Sequence, residues 1–543
     1  MSTTATAART LPAPIEVGRG RDADQGAERH RQVPTSPHGP LYTDEQRAAA
    51  LSLLMPSLAD AVLGAGWDDV PSPPTPSSPT LEASSLLSPG GCSSSFSSSG
   101  PSTPPNGLAG GDALLESAAS KGGGAGVGAG AAARELEHLT DALLVRSCRQ
   151  GWERSFELHS HWPRPRIEAA DEVLIRNVAV GLNPVDWKSV SYNFGIADWP
   201  WVLGRDVAGI VEQVGAGVEG FQVGDRVWTC ADSRDSRAGA YQRFSIAKAD
   251  TVGKVPDRVR DQEAATIGTG LVTAAVIMYW LFRLPPAASV AAAAPAGPAR
   301  RSPSSICGKW ILIYGGGAVT GIYAAQLAAL SGLRVVSVAS PSNFDYLQSI
   351  GVEACVDRYA DPSSVLRRID EITAGDLAFA IDCVGSKTAN ICYEALALAS
   401  RISAVAGERP LPVPREVGEL VCLAGNPKPD FVDEFKARQE AVGGQGADVK
   451  VHRISFSTTF YGDSNFSRST LDDIYTLLLS GELQPVCPEI VPDGLAGIRR
   501  GLEALRDGTA PRAKKLVVSI ADTPSADLTH LGVKTDLGWN GVV

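Results

Sequence analysis

The sequence predicts an α/β protein with two structured domains, a β-barrel-like unit followed by a doubly wound parallel sheet, behind a long low-complexity extension. Three observations carry this expectation. Residues 71–133 are dominated by Ser, Pro, Gly, Ala and Thr, and such segments cannot bury enough apolar surface to offset chain entropy. Residues 141–268 alternate β-branched stretches with Gly-containing turns, the pattern of short antiparallel strands. From Lys309 onward the rhythm becomes strand, glycine turn, helix, strand, which builds a parallel sheet. At 543 residues and 44% hydrophobic content, the chain has length for two or three domains.

Residues 1–140 make up the extension, expected to be disordered. Within it, Thr43-Asp44-Glu45-Gln46 has capping-box spacing and precedes AAALSLL, predicting a short helix over 44–55 that ends near Pro56. That helix is either a docking element for a protein partner or a transient turn without a role. The barrel-like unit occupies 141–268, with strands at 171–176 and 207–214 and turns at 215–217 and 223–226. Residues 285–305, PPAASVAAAAPAGPARRSPSS, are too polar and too interrupted by Pro for a buried element and predict an exposed loop. Residues 310–314 form a continuous apolar run, as in a strand buried on both faces. A helix over 321–330 and a strand over 334–338 follow, with further strands at 377–382 and 419–423. Residues 269–483 are therefore assigned to a nucleotide-binding sheet. Residues 484–522 return to a strand and helix pattern, and 523–543 form a tail.

Charge and cysteine usage exclude several classes. A net charge of −11 with scattered Lys and Arg does not suit a nucleic acid or anionic membrane partner, which needs clustered basic residues. No stretch approaches the ~20 apolar residues of a membrane span, and the N-terminus lacks an apolar signal core. Arg9, Arg19 and Arg21 there are mixed with Glu16, Asp22, Asp24 and Glu28, unlike a transit peptide. Nine cysteines without a C-x-x-C pair read as reduced thiols rather than a zinc lobe. A cytoplasmic protein is expected.

The segment Tyr314-Gly315-Gly316-Gly317-Ala318-Val319-Thr320-Gly321 lies between a predicted strand and a predicted helix. Glycines there let the backbone turn sharply and approach a pyrophosphate, whose charge meets the N–H groups of the helix start. Aligned on Gly321, the G-x-G-x-x-G fingerprint reads Gly316-x-Ala318-x-x-Gly321, with Ala in the middle position. After the second strand, no carboxylate precedes Asp345. An acidic residue there would hold the 2′-hydroxyl of NAD. Its absence, with Ser340 and Asn343 as donors, favours NADPH. Arg358 and Tyr359 in the next turn are available to the 2′-phosphate of that cofactor.

The segments GLNPVDWKSV, WVLGRDVAGIVEQVG, EAATIGTGLVTAA, GGGAVTG and SPSNFD together resemble the medium-chain dehydrogenase/reductase superfamily over about residues 141–522. The resemblance is to its zinc-independent enoyl reductase-like and quinone oxidoreductase-like branch, including the trans-acting enoyl reductases of polyketide pathways. It implies a GroES-like barrel as catalytic domain, which residues 484–522 rejoin, and a Rossmann domain for the cofactor. Where zinc-dependent members read Cys-His-x-Asp and Gly-His-Glu, this chain reads Asn183-Pro184-Val185-Asp186 and Gly204-Arg205-Asp206, and the third ligand position falls on Thr269. Asn and Arg are not zinc ligands, so no metal is expected. The resemblance also puts Thr273 beside the nicotinamide and Tyr461 at the substrate cleft, although a core aromatic is the simpler account of Tyr461.

Without a metal, another donor must stabilise the charge that develops on a carbonyl oxygen when hydride arrives. Lys188 or Asn183 is assigned that role, with Tyr192 or water returning the proton. The structural alternative is that Lys188 pairs with Asp186 or Asp206, that Asn183 closes a turn before Pro184, and that Arg205 and Asp206 pair or brace the domain. Cys383 has no nearby His signature and is given no covalent role. The expected activity is NADPH-dependent reduction of an alkene conjugated to a carbonyl, as in an enone or enoyl thioester. A quinone reductase and a non-catalytic NADPH-binding scaffold are the alternatives.

Overall fold

In the first domain, strand β3 (Glu172–Gly181) pairs antiparallel with β5 (Asp206–Val214). That pair is the spine of a sheet ordered β15-β16-β3-β5-β6-β8, with β7 also on β3. The other members are β6 (Arg226–Cys230), β7 (Phe244–Lys248), β8 (Val252–Lys254), β15 (Pro488–Ile490) and β16 (Lys515–Ser519). A three-stranded sheet, β2-β1-β4, joins β1 (Leu139–Val145), β2 (Phe156–Pro163) and β4 (Trp201–Val202). The computed structural model describes residues 138–149, 151–193, 195–289, 308–405, 417–441 and 448–524. The expected disordered extension up to residue 137, its helix over 44–55 and the tail from residue 525 lie outside the described residues.

The second domain holds six parallel strands ordered β11-β10-β9-β12-β13-β14. These are β9 (Trp310–Tyr314), β10 (Arg334–Ala339), β11 (Ala354–Asp357), β12 (Leu377–Asp382), β13 (Gly418–Cys422) and β14 (Val449–His452). In chain order this is 3-2-1-4-5-6, the doubly wound Rossmann arrangement, whose ligand crevice lies where the order reverses, at the carboxyl end of the first strand. All five residues of β9 are buried, as a strand covered by helices on both faces requires.

Helix α1 (Pro184–Tyr192) follows β3, with Pro at its first position, where a missing N–H costs nothing. Helix α2 (Gly268–Ala275) leads into the second domain and packs on α3 (Val319–Leu330). That contact is close: a Cβ on Gly270 would lie 2.7 Å from Val319 Cγ1. One apolar core runs through both domains, joining Ala208 and Trp228 of the barrel to Leu271, Met278, Ile322 and Tyr323. The return of the chain to the first domain is seen directly, since β16 pairs antiparallel with β3, Val517 opposite Gly181.

One expectation is corrected. Residues 285–305 were read as an exposed loop, but its first part is anchored: Ala287 is fully buried. The Ala287 amide donates to Tyr279 Oη at 3.3 Å and the Ala288 amide to Asp473 Oδ1 at 2.7 Å. Composition could not reveal that distant side chains satisfy this backbone. Residues 290–307 lie outside the described residues.

Candidate active site

The loop after β9 is shaped by backbone crowding. Gly315 has φ +89, a conformation L side chains rarely adopt, and a Cβ on Gly316 would collide with Ser337 Oγ. A Cβ on Gly321 would lie 2.7 Å from the Gly315 carbonyl oxygen. Helix α3 starts at Val319, two residues before the sequence-predicted start, with Ala318 as its extended cap. Val319, Thr320 and Gly321 thus form the first turn, where amides lack carbonyl partners one turn behind. This cradle fits a pyrophosphate.

Four more of the predicted cofactor residues gather beside it. Ser340 follows β10, and its Oγ lies 3.4 Å from Tyr359 Oη. The Arg358 guanidinium stands 5.3 Å from the Tyr359 ring centre, and the Arg358 amide donates to Ala339 O at 3.0 Å. Asn343 Nδ2 borders Gly317, where an added Cβ would approach it to 2.7 Å. Thr273 lies apart on α2, with its hydroxyl donating to Thr269 O at 2.6 Å.

The positions that match metal ligands in the superfamily face a different polar cluster. Asp206 is fully buried, and its Oδ1 accepts from the Thr269 amide and the Thr269 hydroxyl, both at 2.6 Å. Its Oδ2 lies 2.7 Å from Lys515 Nζ. Lys515 also donates to Asn183 Oδ1 at 2.5 Å. The ion pair fits only because Gly268 lacks a Cβ, which would strike Asp206 Oδ1. Two residues before Lys515, the Ala513 amide donates to the Gly317 carbonyl at 3.2 Å. The C-terminal segment therefore links the glycine loop to the buried pair.

Asp186 accepts from the Asn183 amide at 2.8 Å and from Tyr241 Oη at 2.7 Å. Burial raises its pKa to about 6, against the pull of the Arg205 charge and these hydrogen bonds. Arg205 is held by its backbone, whose carbonyl accepts from the Ala231 amide at 2.6 Å. Its Nε is buried with no acceptor, as is Asn183 Nδ2. Burial opposes the Arg205 charge, but the acidic groups around it, Tyr461, Asp186, Cys230 and Asp232, hold its pKa above the ordinary value.

Tyr461 packs as the core aromatic of the simpler account, with its hydroxyl on polar partners. Its ring packs on Phe456 and Phe460. Its hydroxyl donates to the carbonyls of Cys230 and Ala231 at 3.2 Å and lies 3.4 Å from Cys230 Sγ.

Two structural readings of the sequence are corrected. Asp206 pairs with Lys515, not with Arg205, because β16 brings a lysine in from 309 residues away. The structure also does not bring Tyr192 to the cluster. Tyr192 ends α1, about 13 Å along the helix from Asn183 at 1.5 Å per residue, and is 48% exposed beside Trp187. Lys188 is half-buried on the same helix, and burial lowers its pKa. Sequence reasoning missed Lys515, Cys230 and Tyr241. For Lys515 the available signal was a lysine in register with the inward Val517 of KLVVS.

The donor set does not fit zinc. Two cationic side chains, Arg205 and Lys515, point among its positions, and the one carboxylate there, Asp206, is committed to Thr269 and Lys515. Among the described residues, no three His, Cys, Asp or Glu side chains gather as a metal-binding group.

Residues 169–257 match the family model described as alcohol dehydrogenase GroES-like domain, and residues 319–425 the one described as zinc-binding dehydrogenase. The trans-enoyl reductase resD of Aspergillus sclerotiorum is 31% identical over 362 residues, 64% of this chain and 92% of that protein. The trans-enoyl reductase buaC of Petromyces alliaceus is 27% identical over 359 residues, 63% of this chain and 87% of that protein. An alcohol dehydrogenase superfamily protein from Novosphingobium aromaticivorans shares the fold, with a TM-score of 0.54 and 21% identity over 70% of this chain and 99% of its own. The two family models fall on the barrel and on the nucleotide sheet, and the match to resD spans nearly all of that relative. The chain therefore belongs to the medium-chain dehydrogenase/reductase superfamily of oxidoreductases, in its enoyl reductase-like branch.

Proposed function

We propose that this protein is a zinc-independent, NADPH-dependent reductase that places a hydride on the β-carbon of an alkene conjugated to a carbonyl. One observation carries the reading: Asn183 Nδ2 is buried without an acceptor while its own Oδ1 is fixed by Lys515. A buried donor left open is costly, and a substrate carbonyl oxygen would satisfy it. Lys188, the other candidate donor, has its charge opposed by burial.

When bound, the cofactor supplies the hydride. The chain's part is to hold its pyrophosphate on Gly315, Gly316, Gly317, Ala318, Val319, Thr320 and Gly321, and its 2′-phosphate near Ser340, Asn343, Arg358 and Tyr359. Thr273 faces the nicotinamide side. Asn183 then holds the acceptor oxygen, and charge moving onto that oxygen strengthens the hydrogen bond, so the transition state gains more than the ground state. Because Tyr192 is at the surface, solvent water returns the proton to the α-carbon. The names of the trans-enoyl reductase relatives support the choice of an alkene over an alcohol. The seven free cysteines among the described residues agree with a reducing, cytoplasmic setting.

The test is NADPH oxidation followed by absorbance with purified full-length protein and a panel of enones, enoyl thioesters and quinones. Oxidation that depends on enones or enoyl thioesters is expected. Tight NADPH binding with no acceptor-dependent oxidation anywhere in the panel would replace the reductase with a nucleotide-binding scaffold. Oxidation confined to quinones would make it a quinone reductase.

A further inference from the structure

We propose that Arg205 is a catalytic residue whose guanidinium receives the negative charge of the enolate, giving the site an affinity for enolate-like anions that it lacks for neutral ketones of the same shape. This rests on the reductase reading and names the group that takes over the electrostatic task.

Arg205 occupies a position that holds a metal ligand elsewhere in the superfamily, yet it is a permanent cation. Its Nε is buried without an acceptor. The two carboxylates that act on it, Asp186 and Asp232, are each engaged by other donors. Asp186 is bound to Tyr241 and to the Asn183 amide. Asp232 grips Arg234, accepting from its Nε at 2.7 Å and its Nη2 at 2.5 Å. Asp206, which raises the Asp186 pKa alongside it, is paired with Lys515. A buried guanidinium N–H left without an acceptor is costly, and a ligand oxygen that becomes anionic removes that cost.

Burial raises the pKa of Asp186, Cys230, Tyr241 and Tyr461, and the charge of Arg205 pulls against that rise at each of them. The Arg205 carbonyl accepts from the Ala231 amide, the Tyr461 hydroxyl meets the Cys230 and Ala231 carbonyls, and Cys230 Sγ lies 3.6 Å from Thr269 Oγ1. Thr269 shares Asp206 with the Lys515 that holds Asn183, so both open N–H donors belong to one contiguous cluster. The electron balance is simple. Hydride brings two electrons to the β-carbon, the π pair of the alkene moves to join the α-carbon and carbonyl carbon, and the carbonyl π pair settles on oxygen as the enolate. Arg205 and Asn183 donate hydrogen bonds to that oxygen without giving up a proton. A proton from water then bonds to the α-carbon, and the carbonyl is restored.

The experiment compares wild type, Arg205→Gln and Arg205→Lys in the full chain, with thermal unfolding and NADPH binding checked for each. The first readout is kcat with a conjugated acceptor. Arg205→Gln should lower it about 100-fold, the size seen on removing one oxyanion donor, at unchanged NADPH affinity, and Arg205→Lys should retain part of it. The second is calorimetric binding, with NADP+ present, of the enolate of a cyclic 1,3-diketone and of the matching neutral ketone. Arg205→Gln should weaken the enolate at least about tenfold, or about 1.4 kcal/mol, and leave the ketone nearly unchanged. Wild-type turnover that survives in Arg205→Gln overturns the inference and leaves the reductase reading standing. If wild type turns over no acceptor, the reductase reading fails and the binding arm decides: selective loss of the enolate supports the anion site, and equal binding by both proteins overturns it. Should Arg205→Gln not fold, Arg205→Lys carries the same comparison, with a smaller loss selective for the enolate.

Discussion

Lys515 Nζ lies 2.7 Å from Asp206 Oδ2 with the two side chains 3% and 0% exposed, so the C-terminal strand of the chain supplies the counter-charge for a carboxylate in the middle of the barrel. The same ammonium fixes Asn183. Removing one member of such a pair strands a buried charge, and the loss is about 3–5 kcal/mol. Lys515→Met should therefore unfold at a lower urea midpoint than wild type, and Lys515→Met with Asp206→Asn should regain part of that loss. Urea unfolding of the three proteins checks this.

Gly268 is required by the same pair. An added Cβ would strike Asp206 Oδ1, which accepts from Thr269 through backbone and side chain. Gly268→Ala should cost about 1–3 kcal/mol, as overpacking of a filled core does. Acceptor-dependent turnover should also fall, because Asp206 and Lys515 shift together. Denaturation and initial rates measured on the same preparation test both statements.

Stability should carry the signature of Asp186. Burial raises its pKa to about 6 from 3.8, so between those values the folded protein holds a proton that the unfolded chain releases. Its stabilising contribution is full below about pH 4 and is lost as pH rises through about 6. Asp382, which burial also raises to about 6, adds a second loss in the same window. Relative to wild type, Asp186→Asn should gain stability steadily as pH goes from 4 to 7. Paired denaturation curves across that range measure the trend.

The cofactor preference is open to a direct reversal. Ser340→Asp would place a carboxylate beside Tyr359 and Asn343, where a 2′-phosphate is proposed to sit. Like charges repel there, so NADPH affinity should fall at least about tenfold while NADH affinity holds or rises. Fluorescence titration with both nucleotides reads the ratio.

Cysteine reactivity should follow burial. Burial pushes the Cys383 thiol far above its usual range and raises Cys230 to about 11, whereas Cys487 is exposed. Since the thiolate is the reactive form, brief iodoacetamide treatment of the native protein should label Cys487 and spare Cys230 and Cys383. Peptide mass mapping reports the order.

Much of the fold was legible because its signals are local. The run from Trp310 to Tyr314 is a strand with the predicted bounds, as is Leu377–Asp382. The glycine loop lies between strand and helix as expected. That Ser340, Asn343, Arg358 and Tyr359 come together was readable too, since each follows a strand end and parallel pairing sets those ends side by side. The centre of the barrel was less legible. Asn183, Asp206 and Thr269 were found from their segments, but Lys515 enters through a register set by β16 on β3, so its alternation with Val517 gives its face and not its partner. Tyr192 failed for the opposite reason: closeness in sequence to Asn183 becomes distance once the segment coils into a helix. The start of the 285–305 run was misread because its backbone is satisfied by Tyr279 and Asp473, far away in the chain.

Hydride is expected at the β-carbon of the alkene rather than at the carbonyl carbon, and its destination can be seen. A single turnover with NADPH deuterated at the transferring position, run with an enoyl thioester and read by mass spectrometry and NMR, locates the label. The account predicts a saturated thioester with one deuterium on the β-carbon and a solvent proton on the α-carbon. Deuterium on the former carbonyl carbon, or an unchanged alkene alongside oxidised cofactor, would contradict it.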